Sequence, residues 1–405
     1  MKIKVGVILL LSIVFISVFF IDVGATENIN LNSSDDSYTE EEQEAIEEVL
    51  KENEKELEEL YKYIDSLKLD VELMNELDPV EYIQSYIKNG KGNISVNTAL
   101  KAVVSLVFKE VDSVLALSLS ILAIAIISTL IKNLQNAFNS EGVSEVAFYA
   151  CYVILVMVLS KSFLISIQVA KDVIYSISDF MGAVLPILVS MIALSGGVVE
   201  ATTLDPIVMS AVLLIPRVYT YIIIPLILIG FVLQFANNLS NEHKIDNLCK
   251  LVKQVTMWLQ GIIITAFIAL LTIRGMSSST IDAVTLKTTK FAIDNFVPIV
   301  GKAFSDAITS VAAYSLIIKN AVSAVGLVVI VLIILYPIIK IVLMTFIYKI
   351  SASLIEPISD KRITSCIQAA GESLTVLLSC VLSVSLMFFV LIAIMASASK
   401  FIVGA

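Results

Sequence analysis

A chain of 405 residues that is 58% hydrophobic and only 16% charged, with a mean hydropathy of +0.92, excludes an ordinary soluble domain. Several apolar runs near the ~20-residue length that crosses a bilayer make it a polytopic membrane protein. The net charge of −10 averages two unlike parts: residues 26–100 carry 20 acidic and 6 basic residues, a net of −14, while residues 101–405 carry a net of +3. An acidic soluble segment is therefore joined to a mildly basic membrane body.

Residues 1–25 read as a secretory signal. Lys2 and Lys4 form the positive start, Val5 to Ile21 the apolar core, and Val23 and Ala25 the small-residue pattern for cleavage after Ala25. An uncleaved anchor helix is the alternative, and either one places the segment after Ala25 outside the cytoplasm. From Glu41, the apolar residues Ile46, Leu50, Leu57, Leu60 and Ile64 recur at helical spacings among glutamates and lysines. Residues 26–110 are expected to be an acidic, mostly helical extracytoplasmic segment. Its acidic run is either a solvated face or a docking surface for a partner.

Ser95 to Glu110 is amphipathic and is expected along the membrane surface. Residues 111–405 form a multi-span domain of about 7–8 spans. They are expected near Val111–Ile131, from Val146 with an interruption at Lys161, and at Phe180–Val199 ending in Ser195-Gly196-Gly197. Pro206–Ala236 is divided at Arg217, and Val255–Ile273 carries Trp258 near one end. Ala321–Ile339 lies between Lys319 and Lys340, with the short Ile341–Ile355 and then Ser373–Ala396 after it. Pro206–Ala236 reads as one kinked helix or as a half-span and a span. Asn237–Gln254 reads as a polar loop. Arg217, expensive in lipid, faces protein, water or headgroups. Counting single spans puts the 274–320 region, Lys361 and Arg362 inside but Lys244, Lys250 and Lys253 outside, in conflict with the excess of basic residues expected on the cytoplasmic side, and splitting Pro206–Ala236 into a hairpin only moves the conflict to the later loops.

The amphipathic central region 274–320 is too polar for a span. Lys302 and Asp306 are spaced i,i+4, and Ser310 and Tyr314 continue their stripe opposite Ala303, Ile308, Val311 and Ile318. This fits a helix resting on the bilayer or one lining a wet cavity. The candidate pore or cavity residues are Arg217, Lys302, Asp306, Ser310 and Tyr314.

No catalytic motif is visible. Walker, HExxH and dinucleotide-binding patterns are missing, and the ALSGG around Ser195 has no histidine in a span to pair with, because His243 lies in the polar loop. Cys151, Cys249, Cys366 and Cys380 lack metal-ligand spacing. No enzyme activity, cofactor, metal or nucleic-acid partner is expected.

The central residues Thr285-Leu286, Thr288, Lys290-Phe291, Asn295-Phe296, Pro298, Gly301 and Asp306 carry a family likeness. With Ser195-Gly196-Gly197 and Thr345-Phe346-Ile347-Tyr348-Lys349, the chain from about Ala102 to Ala396 resembles the stage III sporulation protein AE family. The resemblance implies an endospore former and a place in the mother-cell membrane around the forespore. Its implied partners are other stage III sporulation membrane subunits including a secretion-type ATPase and, through that oligomeric complex, a forespore membrane protein. The implied role is a subunit of the channel that sustains late forespore gene expression. A stand-alone permease using Arg217, Lys302 and Asp306, and a scaffold for partner subunits, are the alternatives. The expected fold is all-α: a polytopic α-helical membrane protein with a signal peptide and a small acidic helical extracytoplasmic segment.

Overall fold

Among the described residues the long apolar runs are helical, and several helices run through the boundaries that charge and proline suggest. The computed structural model describes residues 58, 61–65, 96–138, 141–239, 245–296 and 301–398, without the side chains of 96–103, 106, 107, 109, 112, 113, 132–145, 147, 205 and 274–310. The signal region, most of the acidic segment and His243 lie outside the described residues. In chain order the helices are α1 Val96–Phe138, α2 Glu141–Leu194, α3 Val198–Val218, a π-helical turn Tyr219–Ile223, α4 Ile224–Leu239, α5 Asp246–Phe296, α6 Gly301–Ile355 and α7 Lys361–Ser397. Among the described residues six runs are long and apolar enough to cross a membrane: Val114–Ile131, Phe148–Leu194, Val198–Leu239, Asp246–Ile273, Val311–Ile355 and Lys361–Ser397.

The differences from the expected spans have local causes. Lys161 does not interrupt α2, because its side chain is exposed on the outer face while Ser162 and Phe163 turn inward. Ser95–Glu110 is no separate surface helix, since α1 continues through Glu110 to Phe138. The expected spans Ala321–Ile339 and Ile341–Ile355 are one helix, with Pro337 accommodated inside it. The polar loop is shorter than expected: α4 reaches Leu239 and α5 starts at Asp246, so Lys250, Lys253 and Trp258 are helical. Asn237 closes the turn by binding Asp246 and the Ile245 amide, both at 2.6 Å.

The break after α2 is the one that glycine chemistry demands. Gly197 N–H reaches Ile192 C=O at 2.9 Å and Gly196 N–H reaches Ala193 C=O at 3.0 Å, which satisfies the last carbonyls of α2 in a Schellman motif. Gly196 sits at φ 94°, a conformation costly for any residue with a Cβ. The Ser195 hydroxyl donates to Ile192 C=O at 2.9 Å and so belongs to this cap.

Pro206–Ala236 resolves as one continuous run with a π-turn at Tyr219–Ile223, directly after Pro216 and Arg217. Pro216 has no N–H for the Val212 carbonyl four residues earlier. The Ser178 hydroxyl of α2 supplies the missing donor at 3.0 Å, the kind of substitution that lets proline persist in apolar helices. Ser178→Ala therefore strands a buried carbonyl and is expected to cost about 1–3 kcal/mol, read as a lower Tm of the detergent-extracted protein. A Tm equal to that of the unaltered chain would show that the carbonyl has another donor.

Side-chain contacts fix how the helices run. Ser178 meets Val212, the Phe163 ring stacks on Phe231 at 3.8 Å and the Tyr152 hydroxyl donates to Phe235 C=O at 3.0 Å, so α3–α4 runs antiparallel to α2. Ser166 contacts Met344 at 3.1 Å and Gly326 lies against Val184, so α6 is antiparallel to α2 as well. Lys319 meets the end of α7 and Gly371 meets Tyr348, so α7 is antiparallel to α6. One end of the bundle therefore holds the Ser195–Gly197 turn, and the other holds the turns at Asn237–Asp246 and Glu356–Asp360.

Candidate functional site

An apolar bundle can do polar work only where its few polar side chains meet. At mid-height, Glu110 of α1 faces Lys340 of α6 at 3.5 Å, an ion pair rather than a hydrogen bond. Lys340 also donates to the Tyr336 hydroxyl at 2.8 Å and lies 5.2 Å from that ring's centre. Glu110 is buried. One face of α1 thus holds its charge against α6, and the Ser118–Ser351 hydroxyl pair at 2.9 Å holds the same two helices further along.

A second line of polar contacts joins α7 to α4 and α5. Lys253 binds Glu372 at 2.7 Å, the Ser379 hydroxyl bonds Gln260 at 3.0 Å, and Ser373 approaches Gln234 at 3.5 Å. The spacing of Glu372 and Ser379 on α7 matches that of Lys253 and Gln260 on α5, so these two helices run parallel in fixed register. Lys253 and Glu372 are each over a third exposed, so this pair contributes little by itself. It also places Lys250 and Lys253 at the same end as Lys361 and Arg362. The 274–320 region, expected on the same side as Lys361 and Arg362, lies instead toward the opposite end, because α5 runs parallel to α7; the charge conflict thereby moves to Arg274, Lys287, Lys290 and Lys302.

Lys319 is fully buried and donates to the Ala396 carbonyl at 3.2 Å and to the Ala398 carbonyl. It closes the C-terminus of α7, where the helix dipole concentrates partial negative charge. At the other end of α7, the Asp360 carboxylate accepts from the Arg362 N–H at 2.8 Å as an N-cap. The Arg362 guanidinium lies over the Phe148 ring at 3.8 Å.

Gly371 lets α6 and α7 approach closely. A Cβ there would lie 3.3 Å from Tyr348 Cβ and 3.7 Å from the Thr345 carbonyl. Gly371→Leu is expected to cost about 1–3 kcal/mol by overpacking, seen as reduced accumulation in membranes. Unchanged accumulation and Tm would show that the helices can separate there at no cost.

Of the expected pore or cavity residues, Arg217 is exposed in the last turn of α3, where the π-turn begins. Tyr314 is 38% exposed on α6. Lys302, Asp306 and Ser310 lie in the first turns of α6, with side chains outside the described residues. α3 packs on α2 and α5, and α6 packs on α7, α2, α1 and α5. In the sequence, Glu110, Lys340, Lys253, Glu372 and Lys319 are only lone charges beside apolar runs. Their partners lie far away along the chain.

The acidic segment has one described foothold. Ile64 is fully buried, the Tyr63 ring stacks on Phe180 of α2 at 6.4 Å, and Tyr61 lies near Tyr314. Burial, then the neighbouring Tyr314 phenol, raises the Tyr61 phenol above its ordinary value. The helical periodicity that contains Ile64 marks this buried face.

The family model described as stage III sporulation protein AE matches residues 77–399. The chain is 29% identical over 312 residues to stage III sporulation protein AE of Bacillus subtilis (strain 168), covering 77% of this chain and 78% of that protein. No solved structure matches.

Proposed function

The chain belongs to the stage III sporulation protein AE family, and from that premise we propose that it is a membrane subunit of a channel or secretion-like assembly linking mother cell and forespore. In this reading it sits in the mother-cell membrane around the forespore and supports late forespore gene expression. Its signal peptide directs the acidic segment out of the cytoplasm. Its partners are the other stage III sporulation membrane subunits, a secretion-type ATPase and, through the complex, a forespore membrane protein.

The observation that carries this reading is the family match running through all six long apolar helices. The permease reading needs Arg217 and the Lys302–Asp306 stripe around one site.

The test is purification of the tagged chain from sporulating cells in mild detergent, with identification of the proteins that accompany it. Recovery with an ATPase and other sporulation membrane subunits is the expected result. A solitary monomer or dimer, even after cross-linking, would overturn the assembly reading and move attention to flux through the isolated protein.

A further inference from the structure

We propose that the outer face of α2 is one wall of a water-filled path across the bilayer, lined by Lys161, Gln168, Asp172, Tyr175 and Asp179. The inference rests on the channel reading and deepens it by naming a lining that the helix packing leaves open.

The five side chains form one strip. All are exposed, and spacings of seven, four, three and four residues keep them within about 60° of the helix circumference. Exposed Leu164 and Ile165 flank them. The Gln168 amide donates to the Asp172 carboxylate at 2.7 Å. Among the described residues, Lys161, Asp172 and Asp179 form no ion pair.

Lipid cannot cover this strip. The apolar run of α2 is Phe148–Leu194. Its stretches before Lys161 and after Asp179 are about 20 and 23 Å long at 1.5 Å per residue, and a hydrocarbon core is about 30 Å thick. Wherever the bilayer sits along this run, an exposed charge of the strip lies at hydrocarbon depth. An ionised side chain there faces water or protein.

Other helices look different at the same heights. The Gly371–Tyr348 and Ser166–Met344 contacts set Ser379, and with it Gln260, near the level of residue 170 on α2. From there the outer face of α5 shows Ile262, Ala266, Ala269, Leu270 and Ile273. The Thr265 and Thr272 hydroxyls on that face return to carbonyls of their own helix, both at 2.8 Å. At the height of Lys161, marked by the Ser118–Ser351 pair, α1 shows Leu115 and Leu119. These are faces for lipid. The polarity of the strip therefore belongs to one side of the bundle and not to a level outside the membrane.

Water fits the strip better than a dry neighbour does. Copies of a membrane protein share one orientation, so a twofold contact between strips sets Lys161 beside Lys161 and Asp172 beside Asp172, and like charges repel. Any other dry helix needs an acid opposite Lys161 and a base opposite each carboxylate, and every ion still loses its hydration. Water solvates all of them. The remaining walls of the path come from neighbouring subunits of the assembly.

Single cysteines in the full-length chain, in open membranes from sporulating cells, test this with a membrane-impermeant cationic methanethiosulfonate. Cys151, Cys249, Cys366 and Cys380 are buried, so the unaltered chain is the labelling blank, and labelling after unfolding in dodecyl sulfate is the reference for each variant. Gln168→Cys and Tyr175→Cys are expected to label at least about tenfold faster than Ile262→Cys and Ala269→Cys, since a thiol reacts as its thiolate and ionises only where water reaches it. Strip labelling as slow as that on α5 overturns the proposal, because the strip is then dry. Equally fast labelling at all four sites overturns it too, since that height would lie in bulk water. A slow strip in a chain that still purifies with an ATPase and other sporulation subunits overturns this inference alone. A fast strip in a solitary chain overturns the assembly reading and keeps the wet face.

Discussion

Lys319→Ala is expected to lose most of the folded protein from the membrane. The lysine is fully buried between α6 and the end of α7, and its amine serves the Ala396 and Ala398 carbonyls. Truncation removes a long side chain from a packed site and leaves carbonyls at a helix terminus without a donor. The cavity costs about 2–5 kcal/mol and each stranded carbonyl about 1–3 kcal/mol more. A typical domain holds only about 5–15 kcal/mol in total, so the sum consumes much of it. Lys319→Met keeps most of the volume and loses only the donor, so its expected loss is the smaller carbonyl term. Abundance and Tm should therefore fall in the order unaltered chain, Met, Ala. Equal values for Lys319→Met and the unaltered chain would show that the α7 terminus does not depend on this amine.

Glu110 and Lys340 are expected to be strongly coupled. Removing one partner of a buried ion pair leaves the other charge uncompensated, at a cost of about 3–5 kcal/mol. Removing both leaves neither, so Glu110→Ala with Lys340→Ala should cost less than the two single substitutions added together, by about 0.5–3 kcal/mol. Tyr336 moderates the Glu110 substitution, because its hydroxyl still holds Lys340. The Lys340 substitution has no such compensation: Glu110 Oε2 is buried and accepts no hydrogen bond among the described residues. Thermal unfolding of the four proteins in one detergent reads the cycle. Strict additivity would mean that the 3.5 Å approach carries no energy and that α1 is held to α6 by packing and Ser118–Ser351 alone.

How much of the fold is legible in the sequence depends on the kind of signal. The break at Ser195–Gly197 is legible because glycine tolerates the positive φ a helix terminus needs. The buried side of residues 61–65 is legible in the periodicity that includes Ile64. Continuity through Lys161 and Glu110 is not, since a charged side chain, whether exposed as at Lys161 or paired across to α6 as at Glu110, leaves the backbone hydrogen bonds of a helix untouched. The division at Arg217 is legible, but its form is not: whether Pro216 breaks a helix depends on whether another helix brings a donor to Val212, and Ser178 does. For Lys302, Asp306 and Ser310 the stripe remains a property of the sequence and of the α6 backbone.

Composition and local chemistry were enough to establish a helical membrane chain and its acidic front, because apolar run length, charge spacing and glycine positions act over a few turns, and the family was carried by a motif resemblance that the family match shows. The tertiary structure alone decided which apolar runs face outward and which are interior. Hydropathy measures dislike of water, and a side chain satisfies it equally against lipid or against another helix. The partners of Glu110, Lys253 and Lys319 were decided there as well, since each lies on a helix that only the packing brings near.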